Sequence, residues 1–276
     1  MERYRLRSAL VFVFYKTSFT LGLLAGLSFA VPLLCGMYIG AEYQLLTLPL
    51  VFVALIAGTI LCGGWAERKL QRMNDILYVD CDPDRFLELF SKEIYSRKSE
   101  NWRGLVLLFI AQAYHAQGRF KEEEALYLRF LNKTRRKNPD ATEDLEVLAR
   151  LTILYGDAQN AAGAQKAFKK FREMAQALPP APEGQARTAY DELKDFVYNS
   201  YLMGIGKPDE CVGFFEWHCQ NRPNELCALL SHYRLAEVYR ALGSSDEAER
   251  EYRTVADSGK NIYAVRMAKQ RLTEYK

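Results

Sequence analysis

Apolar and polar positions divide this chain into two regimes. From Ser18 to Ile39, and again from Leu45 to Gly64, no charged residue interrupts a nearly continuous apolar run. A helix rises about 1.5 Å per residue and a hydrocarbon core is about 30 Å thick, so each run predicts a membrane-spanning helix. Beyond Glu67 the pattern changes. Apolar residues recur at intervals of three and four, Leu, Ala, Glu, Lys and Arg dominate, and strand-like alternation is absent. Turn signals break this pattern at Asp82-Pro83, Gly118, Asn138-Pro139, Pro179 to Pro182, Gly204 to Pro208 and Gly243-Ser244-Ser245. The expected fold is all-α: a two-helix transmembrane hairpin over 1–66, then helix hairpins of about 12–16 residues per helix over 67–276.

Charge supplies a direction. Seven basic residues (Arg3, Arg5, Arg7, Lys16, Arg68, Lys69, Arg72) stand against three acidic ones through Arg72, whereas the remaining 30 basic and 31 acidic residues balance. The linker Gly40–Gln44 carries only Glu42. Basic flanks stay on the cytoplasmic side, so both termini are expected inside, with Tyr38, Tyr43 and Trp65 at the interfaces. Ala9–Tyr15 is also apolar, which lets the first span begin before Lys16, with the lysine snorkelling to the headgroups. Ser28-Phe29-Ala30 offers a signal-peptide cleavage pattern, but the run continues to Ile39 without a polar segment, which favours an anchor. The absence of an organelle-targeting peptide places the expectation at a bacterial inner membrane. The balanced charge beyond Arg72 gives no basic stripe for nucleic acid.

Small residues recur every four positions in both runs: Gly22, Gly26 and Ala30 in the first, Ala54, Gly58 and Cys62 in the second. Small faces let helices approach closely in lipid. With a five-residue linker they predict a tight antiparallel hairpin, homo-oligomer contact being the alternative. Neither run holds an acid or a histidine of the kind that marks transport.

The last helix pair carries the most specific pattern. Leu235-Ala236-Glu237-Val238-Tyr239 is followed by Gly243, then Ala248 nine residues beyond the tyrosine and Tyr252 four further. This resembles the tetratricopeptide repeat, in which the alanine lets two helices cross closely. The pattern slides back to Leu148, Leu151, Tyr155, Ala164 and Phe168. It then finds Val197, Tyr201 and Phe214, with Glu210 at the crossing position, and Leu107, Ile110, Tyr114, Gly118 and Phe120, with Glu123 there. Tyr114, Tyr155, Tyr201 and Tyr239 are spaced 41, 46 and 38 residues apart, beyond the usual period of about 34. Leu70, Met73, Leu77, Phe86 and Phe90 suggest an earlier copy, and Asn261–Lys276 a capping helix.

The resemblance implies a solenoid whose first helices line a concave groove. It assigns Gln112, His115, Ile153, Asp157, Asn199, Leu202, Tyr233, Glu237 and Arg240 to that groove, where mixed polarity suits a peptide or helix. The carboxylate clamp of chaperone adaptors is not carried over, because Leu108 and Gln112 stand where its Lys and Asn would lie, and Asp195 accompanies Asn199.

Reaction chemistry is not called for. Asp80-Cys81-Asp82-Pro83-Asp84 lacks the glycine and glutamate of a calcium loop, with Arg85 and Ser91 in those places; it reads as a helix start capped by Asp82. Cys211, His218, Cys219 and Cys227 lack zinc-ligand spacing. The six cysteines contain no Cys-x-x-Cys pair and are expected as free thiols. Gly204-Ile205-Gly206-Lys207 is too short for a phosphate loop, and His115, His218 and His232 sit in no nucleophile motif. The expectation is a non-catalytic, membrane-anchored scaffold without cofactor or metal, binding protein partners. The alternative is an assembly or stability subunit that acts through its transmembrane hairpin.

Overall fold

A computed structural model describes residues 68, 71–90, 103–134, 141–177, 185–221 and 224–275. The two apolar runs, with Gly22, Gly26, Ala30, Ala54 and Gly58, lie outside the described residues. Among the described residues no helix is long and apolar enough to cross a membrane. The chain divides into two compact units, Met1–Asn74 and Asp75–Lys276.

The second unit is all-α among its described residues. A helical segment ending at 78 is followed by α1 (Pro83–Phe90), α2 (Arg103–Gln117), α3 (Phe120–Thr134), α4 (Ala141–Asp157), α5 (Ala161–Ala177), α6 (Gln185–Gly204), α7 (Val212–Gln220), α8 (Glu225–Ala241), α9 (Ser245–Asp257) and α10 (Tyr263–Leu272). Helices α2/α3, α4/α5, α6/α7 and α8/α9 form four consecutive pairs, the third looser than the others because α6 meets α7 mainly through the 3-10 turn at Pro208–Cys211 and the ring of Phe196 against Phe214 and Phe215, and α10 packs against α9 and α8.

The same turn closes the first helix of each pair. The amide of Arg119 donates to the Tyr114 carbonyl (2.9 Å), that of Asn160 to Tyr155 (2.8 Å), and that of Ser244 to Tyr239 (3.0 Å). Such six-to-one bonds satisfy carbonyls that a helix end otherwise leaves open, and they require a left-handed residue one place earlier. Gly118 and Gly243 take that conformation, as does Gln159 in the second pair. The third pair is offset by one residue: Lys207 donates to Leu202, not to Tyr201 (3.0 Å). A 3-10 turn at Pro208–Cys211 follows and delays α7.

Helix starts are equally local. Asp82 Oδ1 accepts from the Arg85 amide (3.1 Å), as its place before Pro83 predicts. Asn160 Oδ1 accepts from Gly163 (3.0 Å), and Asn224 Oδ1 from Cys227 (2.9 Å).

The repeated tyrosines then join one pair to the next. Tyr155 on α4 donates to Glu124 on α3 (2.5 Å), and Tyr239 on α8 donates to Glu216 on α7 (2.5 Å). Tyr201 on α6 instead stacks on Phe168 of α5, ring centroids 4.3 Å apart. Each reaches back to the second helix of the preceding pair. Beneath them runs an apolar core. Leu108, Ala111, Tyr127, Phe130, Val147, Leu151, Leu154 and Ala167 form one cluster across α2 to α5, and Leu145, Leu148, Ala149, Phe171 and Val197 continue it to α6.

Small residues set the closest approaches. Ala164 and Ala248 are fully buried at the helix crossings. A β-carbon on Gly156 would lie 2.3 Å from the Ser200 carbonyl oxygen, and one on Gly204 would lie 2.9 Å from the Ala164 side chain. Backbone cannot swing aside as a flexible side chain does. Gly156→Ala is therefore expected to lower stability by about 1–3 kcal/mol, outweighing alanine's better helix propensity. Gly213 on α7 has open space around its β-position, so Gly213→Ala is the matched control, neutral or slightly stabilising in urea unfolding.

Candidate functional site

Three first helices, α2, α4 and α8, send charged side chains to one buried point. His115, in the last turn of α2, has Nδ1 2.9 Å from Glu123 Oε2 and Nε2 3.0 Å from Asp157 Oδ2. Arg234 on α8 donates twice to Asp157, from Nε at 2.7 Å and from Nη2 at 2.6 Å. The Arg234 and Asp157 side chains are 6% and 3% exposed. The Arg234 guanidinium also lies 5.0 Å from the ring centre of Phe196 on α6, so four helix pairs contribute to this point.

Burial and pairing act against each other here. Desolvation opposes charge on His115, but Glu123 and Asp157 outweigh it and raise the imidazole to about 9. Burial likewise opposes ionisation of Asp157, and the Arg234 charge overcomes it, holding the carboxyl well below its usual range. His218, which contacts the Phe196 ring with centroids 4.8 Å apart, behaves oppositely: burial, then the Arg234 charge, lower it to about 4.

Tyr263, the first residue of α10, covers this point. Its ring meets Phe120, His115 and Tyr233 with centroids 5.2, 6.0 and 5.7 Å apart. Its β-carbon sits over Gly118, where a built β-carbon would come within 2.7 Å of it. Gly118 also has φ +76°. Gly118→Ala is thus strained twice, and a loss of about 1–2 kcal/mol is expected from the left-handed backbone alone. Its check is a shift in the urea midpoint that Tyr263→Gly, which removes the opposing β-carbon, partly relieves.

A second polar network lies around Glu237. Its carboxylate accepts from the Tyr252 hydroxyl (2.6 Å), Arg240 Nη2 (2.7 Å) and Arg271 Nε of α10 (3.3 Å). Burial raises the Glu237 carboxyl, and Arg240 and Tyr252 more than reverse this.

None of the nine groove residues predicted from sequence is exposed. His115, Asn199, Leu202 and Glu237 are buried, while Gln112, Ile153, Asp157, Tyr233 and Arg240 are half-buried as whole residues. The structure brings His115 together with Asp157, and Glu237 with Arg240. Gln112 lies apart from both networks and hydrogen-bonds Tyr78. Ile153 packs into the core between α4 and α6. The Asn199 side chain bonds back to the Asp195 carbonyl (2.8 Å). Glu123, Arg234 and Tyr263 are absent from that set. Glu123 carried a signal, a carboxylate at a crossing position that otherwise takes a small residue.

An open cleft of about 720 Å³ lies between α7, α8 and α9, lined by Glu216, Cys219, Gln220, His232, Leu235, Tyr239, Arg250 and Glu251. His232 Nδ1 is 2.7 Å from Glu251 Oε2. Burial, then the Glu216 carboxylate, push the Tyr239 hydroxyl up to about 12. Among the described residues no group of three or more His, Cys, Asp or Glu is arranged to hold a metal ion. Burial raises the thiols of Cys81 and Cys211 to about 12, away from nucleophilic thiolate. No protein-family model matches the chain, and neither curated proteins nor solved structures give a significant match.

Proposed function

We propose that this chain is a membrane-anchored scaffold in which a tetratricopeptide-like array binds protein partners at the cytoplasmic face. The observation that carries this reading is the recurrence of one helix-pair unit. Tyr114, Tyr155 and Tyr239 close the same turn, and Tyr155 and Tyr239 reach the same place on the preceding pair. Stacked pairs of this kind present a long composite surface with few moving parts, which suits recognition of an extended segment or a helix. In this reading the runs 18–39 and 45–64 hold the array at the bilayer and raise its effective concentration for membrane-bound partners.

Co-purification from membranes in mild detergent tests it. Gln112→Ala with Arg240→Ala alters two half-buried positions on first helices and leaves Glu237 bonded to Tyr252 and Arg271. A specific partner retained by the intact chain is expected to be lost from this variant and kept by Gly22→Leu with Gly26→Leu. The reverse outcome would place binding in the hairpin and remove the scaffold reading.

A further inference from the structure

We infer that the segment Lys260–Arg266 is a built-in ligand of the array, held in the place a partner segment takes. This inference rests on the scaffold reading above and adds the chemistry of the partner and the control of access to it.

Helix α10 makes two kinds of contact. Its apolar face belongs to the last pair: Ile262, Ala264 and Val265 within the segment, and Ala268 after it, are buried, and Arg271 meets Glu237, so the ligand-like contacts are those of Lys260, Asn261, Tyr263 and Arg266 alone. Its first turn and the residues just before it reach the beginning of the unit. Lys260 Nζ donates to the Val79 carbonyl (3.0 Å) and Asn261 to Asp84 Oδ2 (2.8 Å). Arg266 Nη2 donates to the Gln117 carbonyl (2.7 Å), and Tyr263 lies between, on Gly118, His115 and Phe120.

These contacts have the form of peptide recognition. The base of the Tyr263 side chain fills a slot that the absence of a side chain at Gly118 leaves open, and its ring lies against His115 and Phe120. On either side, a basic residue three positions away bonds a carbonyl at a helix end, where the macrodipole is negative. Two of the four contacts are to main chain, so they read position and charge and do not depend on a matching side chain. Lys260-x-x-Tyr263-x-x-Arg266 is then a template. A partner segment with an aromatic residue flanked by basic residues at the same spacing satisfies the same groups and competes with it. Because the competitor is tethered, it acts at high effective concentration, and the free chain is held closed. A partner must match the template or arrive locally concentrated, as membrane anchoring provides.

The test uses full-length protein and a fluorescent synthetic peptide of residues 259–276. Tyr263→Gly with Arg266→Ala vacates the slot in cis, removing the β-carbon over Gly118 as well as the ring. The peptide is expected to bind this variant at least roughly tenfold more tightly than the intact protein, and a peptide carrying Tyr263→Ala is expected to lose that binding. A second protein, Asp84→Cys with Asn261→Cys, is designed to hold the segment in place by a disulfide at the point where these two side-chain tips are 2.8 Å apart, its formation being read first by thiol titration. Its peptide binding is expected to fall below the intact level when oxidised and to return to that level on reduction. Equal binding to intact and vacated proteins, or no binding to a folded vacated variant, overturns the inference. So does a concentration-dependent dimer of the intact chain that Tyr263→Ala abolishes, since the segment would then serve a second copy. Partner capture in detergent that persists with the disulfide closed overturns the built-in ligand while leaving the scaffold reading intact.

Discussion

Arg234→Ala is expected to lower the unfolding free energy of the helical array by about 3–5 kcal/mol, the largest effect of any single substitution considered. Arg234 makes two short bonds to a carboxylate that is 3% exposed. Removing the guanidinium leaves Asp157 buried with His115 as its remaining charged partner. The loss measures that uncompensated charge, not the net worth of the pair. A paired replacement separates the two. Arg234→Met with Asp157→Leu is expected to cost clearly less than Arg234→Ala, because both buried charges leave together. Urea unfolding followed by circular dichroism reads both, and a single variant within 1 kcal/mol of the intact protein would mean that water reaches the network.

The second large effect is a loss of stability on the alkaline side. His115 stands at about 9 in the folded protein against 6.5 unfolded. A raised value means that the folded state holds a proton the unfolded state releases. The stabilisation is fully present below pH 6.5 and disappears as pH rises through about 9. At about 1.4 kcal/mol per pH unit it amounts to roughly 3 kcal/mol. His218 works in the other direction. Its value near 4 means that the unfolded state takes up a proton first, so stability falls as pH drops from 6.5 towards 4. Asp157, held low, adds to the acid limb below its ordinary value of 3.8. The urea midpoint is therefore expected to peak near pH 6.5, and His115→Gln is expected to flatten the limb between 6.5 and 9 specifically. Cys81 and Cys211 contribute only above their ordinary value of 9.0. An unchanged alkaline limb in His115→Gln would contradict the network.

The helix pairs were legible in the sequence because each is a local event. Apolar spacing fixes which face is buried, Asp82 before Pro83 fixes a helix start, and Gly118 and Gly243 fix left-handed turns. Tyr155 and Tyr239 fall at equivalent places for the same reason. Tyr201 misled by one residue, because the 3-10 turn at Pro208–Cys211 absorbs an offset that spacing alone does not reveal. The inner face was less legible. A polar residue on a first helix reads as solvent-facing or as groove-lining, and His115, Asp157 and Glu237 each look so in isolation. Their burial depends on contacts between helices of different pairs, which bring Arg234 to Asp157 and Tyr263 to Gly118, residues with no local signal for one another.

Helix α10 closes the inner face by seating Tyr263 on the end of α2. Hydrogen exchange of the full-length protein, intact and as Tyr263→Ala, tests this closure most directly. Loss of the ring is expected to speed amide exchange at Ala113–Gly118 by at least roughly tenfold, as well as within α10 itself. Faster exchange confined to residues 250–275, with Ala113–Gly118 unchanged, would contradict the closure and the account built on it.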